Sequence, residues 1–464
     1  MRPASRAVAL AAAAAMVLAS VPARTQTGPA GGIPVIRDAE IEQLLRDYTQ
    51  PIFKVAGLSN QNVHVVIIND KIFNAFVMDA HRIFVFAGAL METTAPNQMI
   101  GILSHETGHI VGGHLSKMRQ ELANAQTAAI VAMLLGVGAV VAGAHSNNMD
   151  MGNIGSAVLS GPQAYLQNRL LAYQRAQEES ADRAGVRFLT MTGQSAKGMY
   201  DTFKRLSDET LFSMHDVSPY TQNHPMPEER MDALAELVKT PYWDKKDSPE
   251  LQFRHDMMRA KLYGFIERPD AVLRRYPSSD TSMPARYARA ISTYRFGDMR
   301  AAVAQIDGLI AAMPNDPYFY ELKGQALLEG GHPAEAIAPL RRAAALAPSP
   351  ALIQITLAQA LIATDNAKMA DEAIPLLHEA LAQEPEESDA YLQLAMAYGR
   401  KGDLADADLA SAQAAFARGD NKTARELAAR AKERFPIGSP GWVRADDIVA
   451  FNKNSNQNPL HIGP

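Results

Sequence analysis

The sequence predicts an α+β chain that is mainly α: a first domain with a small antiparallel sheet, then an all-α solenoid of repeats. Three observations predict it. Short β-branched and aromatic runs cluster between Val63 and Phe86 and alternate with turn residues, as short paired strands do. Helical spacing dominates elsewhere, beginning with the stripe Ile41, Leu44, Leu45, Tyr48 and Ile52. In the C-terminal half Pro314 and Pro348 stand 34 residues apart, and self-similarity at that period marks stacked helix pairs.

Composition narrows the function. A chain of 464 residues is long enough for two or three domains. Its formal charge of −5 includes no long basic run, which argues against nucleic acid as a partner. With 0 cysteines, the chain has no disulfides, no thiolate catalysis, no cysteine-ligated zinc and no lipidated N-terminal cysteine. Any metal must be held by His, Asp and Glu. Residues 1–23 read as a cleaved bacterial signal peptide: Arg2 and Arg6 precede the apolar run Ala7 to Leu18, and Val21-Pro22-Ala23 puts small residues at the cleavage site. That run is shorter than the roughly 20 residues of a membrane span.

From 24 to 37 the Gly, Pro and Thr content predicts a flexible N-terminus. Asp38 to Val55 is helical. Strands follow at Val63 to Ile68, Asn74 to Val77 and Arg82 to Phe86, with a turn at Asn69-Asp70. Asn97 is placed to cap the next helix.

That helix carries Ser104-His105-Glu106-Thr107-Gly108-His109. Residues four apart share a helix face, so His105 and His109 can grip one metal. Glu106 sits one step round, where a general base of zinc-dependent peptide hydrolysis belongs. A third ligand must come from elsewhere. Gly112 suits one longer version of the motif, but Leu115 stands where its third histidine belongs and His114 comes one residue early. Five residues past His109 is about 140° round a continuing helix, so His114 is expected to point away. If the substrate is an extended chain, His81 to Phe86 is the candidate edge strand to which it adds; a strand that is simply part of the core is the equal alternative.

Ala128 to Ala144 is uncharged and apolar over 17 residues, the lower limit for a span. A single crossing would part His109 from any ligand downstream, so the segment is read as a packed helix, with peripheral membrane contact as the alternative. His145 to Pro162, rich in Asn, Gly, Ser and Met, is read as a mobile lid or plug. Gln163 to Thr192 is one helix stopped by Gly193. On it Glu178 and Asp182 share a face: Glu178 can coordinate zinc while Asp182 fixes the tautomer of a ligand imidazole. Glu179 is the competing candidate.

Taken together, His105-Glu106-x-x-His109, Glu178-x-x-x-Asp182, Asn74-Ala75-Phe76 and His224-Pro225-x-Pro227-x-x-Arg230 resemble the HtpX-like gluzincins of metallopeptidase family forty-eight, nearest to their BepA-type periplasmic members. The resemblance implies a zincin-like metalloprotease domain and one Zn2+ per chain on His105, His109 and Glu178. The family spacing selects Glu178 over Glu179. It implies Glu106 as catalytic base, and His224 as a catalytic-site group able to take the fourth zinc position and hold the enzyme latent. Arg230 either anchors the His224 loop or pairs with an acidic neighbour. Asn74, His224 and Arg230 are candidate oxyanion donors.

The predicted layout is signal 1–23, N-terminus 24–37, metalloprotease domain 38–238, helical connector 239–282, tetratricopeptide repeats 283–450 and a disordered tail 451–464. Tyr320, Gly324, Leu327, Ala336, Leu340 and Ala343 occupy the large and small positions of that repeat. The unit ending at Pro385 is longer, with its insertion expected near Thr364 to Lys368. Stacked pairs build a concave groove. The expectation is a periplasmic zinc endopeptidase of envelope quality control and outer-membrane protein assembly. Its substrates are unfolded or misassembled envelope proteins, and its repeats face the assembly machinery. The alternative is a chaperone or scaffold with a latent zinc site.

Overall fold

The computed structural model describes residues 25–27, 34–118, 120, 173–212 and 219–451. The signal at 1–23, the stretches 128–144 and 145–162, the start of the helix read from Gln163 and the tail from 452 lie outside the described residues. The chain divides into two compact units, one of residues 42–259 and one that joins the described residues up to Ile41 with those from Ala260 onward.

In the first unit, from residue 42 onward, the helix Ala39–Val55 buries Leu44, Leu45, Tyr48 and Ile52, as its periodicity predicts. Three strands follow: β1 His64–Ile68, β2 Ala75–Val77 and β3 Arg82–Phe86. Their order is β1-β3-β2. β3 runs antiparallel to β2, with Ala75 opposite Val85, and parallel to β1, with His64 opposite Arg82. The sheet is therefore mixed, not antiparallel throughout. The reason is insertion: β2 and β3 form a hairpin whose second strand slots in beside β1. Ile83, Phe84 and Val85 are all buried, as befits a central strand covered on both faces. Of the two readings of His81 to Phe86, edge or core strand, the core strand holds, and β2 is the edge of these three. Residues 34–36, expected to be flexible, pair as a strand with 25–27.

The helix Pro96–Gly112 begins with Pro96 at its first turn, and Gln98 Oε1 accepts from the backbone N–H of Thr94 at 2.6 Å and of Ala95 at 3.2 Å. Asn97 is thus not the cap; its N–H donates to Asp247 at 3.0 Å. Gly113 at φ 60 ends the helix in the left-handed conformation.

A polar cluster sits in the core of this unit. His255, fully buried, receives the Tyr48 hydroxyl at Nδ1 (3.0 Å) and donates from Nε2 to Thr93 O (2.8 Å). Burial pushes the imidazole down to about 4, so the fold binds the neutral ring. The unfolded chain, with an ordinary histidine near 6.5, takes up the proton first as pH falls. Stability is therefore full above about pH 6.5 and is lost between 6.5 and 4, by roughly 3 kcal/mol at the low end. Urea midpoints of wild type and His255→Gln measured from pH 7 to 4.5 check this; the variant should be less stable at neutrality but show a shallower slope.

The second unit stacks helix pairs: Met283–Phe296 with Met299–Ala312, Pro317–Glu329 with Pro333–Leu346, Ala351–Ala363 with Ala367–Gln383, Ser388–Lys401 with Leu404–Ala417, and Asn421–Arg434 with Pro440–Ala450. Gly324 shows why a small residue recurs, since a Cβ there would lie 2.3 Å from Leu340. The long unit keeps an ordinary turn at 364–366. Its three extra residues lengthen the second helix, 17 residues against 14 in the preceding unit.

One feature escaped the periodicity. Residues 37–40 belong to the repeat unit: Arg37 pairs with Glu387 and, at 3.4 Å, Glu384; Lys261 meets Asp38 at 2.7 Å and Glu40 at 3.1 Å; and the Tyr287 hydroxyl donates to Glu40 at 2.8 Å. Burial would discharge Lys261, and Asp38, Tyr287 and Glu40 hold its proton on.

Candidate metal centre

Two glycines bring the helix carrying the histidines against the helix of residues 173–191. A Cβ on Gly108 would lie 2.8 Å from Ala181 O, and one on Gly185 would lie 3.2 Å from His105 N. Ser104 Oγ bridges the crossing by donating to Gly185 O at 2.9 Å. Backbones this close let the short Glu178 side chain reach across.

It meets both histidines. Glu178 lies 3.4 Å from Nε2 of His105 and 3.4 Å from Nε2 of His109, while the two Nε2 atoms are 3.0 Å apart. His224 completes the group with Nδ1 at 3.3 Å from His105 Nε2 and 3.1 Å from Glu178. All four residues are buried. Donor atoms around a tetrahedral ion about 2.0–2.2 Å away are roughly 3.3–3.6 Å apart; the separations given above, 3.0–3.4 Å, lie at or just below that figure, and all four ligand atoms fall within 4.8 Å of one another.

The protonation pattern fits as well. Asp182 Oδ1 lies 3.0 Å from Nδ1 of His105, near enough to draw the neutral ring's proton to that side by charge although the angle falls short of a hydrogen bond, and this turns the lone pair of Nε2 inward. Burial works to discharge His105, but Asp182 and Glu178 overcome it and lift the ring to about 9. Burial likewise opposes the Glu178 carboxylate, and His224 and His105 outweigh it to hold the group well below the usual range. A pocket that keeps a proton on a buried imidazole is one that favours a cation.

Glu106 is fully buried, its Oε1 lies 3.4 Å from His224 Nε2, and neither carboxylate oxygen has a hydrogen-bond partner among the described residues. Burial raises its pKa, the direction that makes a carboxylate a better base. Glu179 is half exposed and pairs at 3.4 Å with Arg183, which leaves Glu178 as the acid facing the histidines. Arg230 does both things sequence left open. Its guanidinium donates to both Asp182 oxygens, at 2.7 and 2.9 Å, lies 3.0 Å from Glu178, and ties the His224 loop by donating to Pro225 O at 2.9 Å. Tyr220 stacks on His224 with centroids 4.6 Å apart. Asn74 is buried, its Oδ1 lacking a partner among the described residues.

His114 is not among the converging ligand atoms, as expected, but it touches one of the ligands. The helix stops at Gly113, where the 140° argument ends, and a new helical segment over 114–118 puts His114 Nδ1 3.0 Å from His109 Nδ1. The glycine immediately before His114 was the signal to read.

This fold and this site define a metallopeptidase. Residues 36–238 match peptidase family M48, and residues 287–350 and 357–410 match tetratricopeptide repeats; the chain thus carries a peptidase domain similar to that family, followed by repeats. Among its relatives is the beta-barrel assembly-enhancing protease of Yersinia pestis, 24% identical over 91% of this chain and 86% of the relative. The protein of that name in Escherichia coli K12 is 22% identical over 90% and 84%. Metalloprotease LoiP of the same strain is 23% identical over 38% of this chain and 69% of its own length. Among the described residues no helix is long and apolar enough to cross a membrane.

Proposed function

We propose that this chain is a periplasmic zinc endopeptidase of envelope quality control and outer-membrane protein assembly. His105, His109 and Glu178 hold Zn2+, and Glu106 is the base. The observation that carries it is a buried carboxylate, Glu106, unengaged beside three inward-turned ligand atoms. When bound, Zn2+ supplies Lewis acidity, polarising a peptide carbonyl and easing the ionisation of water. Glu106 takes the proton of the attacking water and returns it to the leaving nitrogen. Asp182 keeps the His105 proton on Nδ1, and Arg230 neutralises Asp182 and fixes the loop that carries His224.

The relatives' name supports a role in β-barrel assembly, and the signal-like N-terminus supports export. Repeats of this kind supply protein-docking surfaces, so unfolded or misassembled envelope proteins are the substrates, and substrate or assembly partner docks on the repeats.

His224 Nδ1 fills the corner that a catalytic site keeps open. On this reading the arrangement is the latent form, and His224→Ala should raise cleavage of an unfolded substrate such as casein several-fold, with zinc retained. A closed four-ligand set equally suits a structural site, which favours the second reading, a chaperone or scaffold. Zinc content and casein cleavage across wild type, Glu178→Ala and His224→Ala test the proposal. Glu178→Ala should lose metal; a metal-replete Glu178→Ala protein would overturn the ligand assignment.

A further inference from the structure

We propose that His114 is a positioning residue for the metal centre: it accepts the Nδ1 proton of His109 and so fixes the tautomer and orientation in which His109 presents Nε2 to the ion. The proposal rests on the zinc reading above.

Two imidazole Nδ1 atoms 3.0 Å apart bond only if one carries a proton and the other a lone pair. The direction follows from the opposite side of the ring. Nε2 of His109 faces His105 and Glu178, where a ligand must offer its lone pair, so the neutral ring's proton sits on Nδ1 and His114 is the acceptor. His114 then carries its own proton on Nε2. The two ligand histidines are thus held differently, His105 by the carboxylate of Asp182 and His109 by a neutral ring.

The surroundings are built for that ring. Gly113, in the left-handed conformation, breaks the helix immediately before His114. A Cβ at Gly112 would lie 2.2 Å from His114 Nε2, so residue 112 leaves the space the imidazole fills. Gln177 Nε2 donates to the His114 carbonyl at 3.2 Å, and Gln177 immediately precedes Glu178. One turn of one helix therefore sets both the acidic ligand and the backbone that carries the acceptor.

Outer partners of this kind are worth about 10–100-fold in metal affinity. The test is loss of metal from the full-length zinc and cobalt-substituted protein to a chromophoric chelator. His114→Leu, which offers no acceptor, should release metal at least 10-fold faster and alter the visible cobalt spectrum; His114→Gln, whose amide oxygen can accept, should recover most of both. Gly112→Ala, which crowds the ring, should behave like His114→Leu and serves if that variant fails to fold. Glu178→Ala runs alongside. If it loses metal while His114→Leu and Gly112→Ala release metal at the wild-type rate, the positioning role is wrong and the site stands. Failure of His114→Gln to recover the spectrum also overturns the role, and retention of metal by Glu178→Ala overturns the site reading itself.

Discussion

Glu106→Gln should lower casein cleavage by about 10²–10⁴-fold, the usual worth of a positioned general base, with zinc content unchanged. The two expectations belong together because Glu106 is not among the four converging ligand atoms, yet lies 3.4 Å from His224 beside them. Glutamine matches the shape and cannot take the proton. Burial already presses this carboxyl towards its neutral form, so an uncharged replacement leaves no buried charge unpaired. Zinc by elemental analysis and the initial cleavage rate decide the matter. A variant as active as wild type would remove Glu106 from the chemistry and move the weight to the scaffold reading.

Arg230→Met should destabilise the unit of residues 42–259 by about 3–5 kcal/mol, the cost of leaving one half of a buried ion pair without its partner. Arg230 is 5% exposed and Asp182 3%. The bidentate contact at 2.7 and 2.9 Å has no substitute on the Asp182 side except the His105 ring. Arg230→Lys should recover only part of the loss, since one ammonium cannot reproduce the planar pair of bonds. Urea unfolding followed by Trp243, in a Trp442→Phe background so that this unit alone reports, measures it. A loss under 1 kcal/mol would mean the pair is solvated and does not anchor the His224 loop.

The same residues explain what could be read beforehand. His105 and His109 announce themselves by spacing, because a helix converts a sequence interval into a direction, whereas the choice of Glu178 over Glu179 came from the family resemblance. Asp182 was legible by spacing too, four residues from Glu178. The rule does not reach the contact of His114 with His109, since it holds only while the helix continues, and Gly113 ends it. Nor does spacing say where a loop folds back: the histidine of His224-Pro225 was a family expectation, and its ring reaches the cluster through the Arg230 clamp and the stack on Tyr220.

Sheet order shows the limit most clearly. Alternation and β-branching located three strands to within a residue, since those are local preferences. Which strand lies in the middle depends on how the hairpin of β2 and β3 docks beside β1, a choice made by pairings between segments distant in the chain. The binding of residues 37–40 into the repeat unit is of the same kind, resting on ion pairs such as Arg37 with Glu387. By itself the sequence determined the helices, the repeat period and the ligand types, because each is encoded in an interval along one element. Only the tertiary structure decided strand order, the reach of His224 and the partnership of His114 with His109, because those depend on where separate elements come to rest.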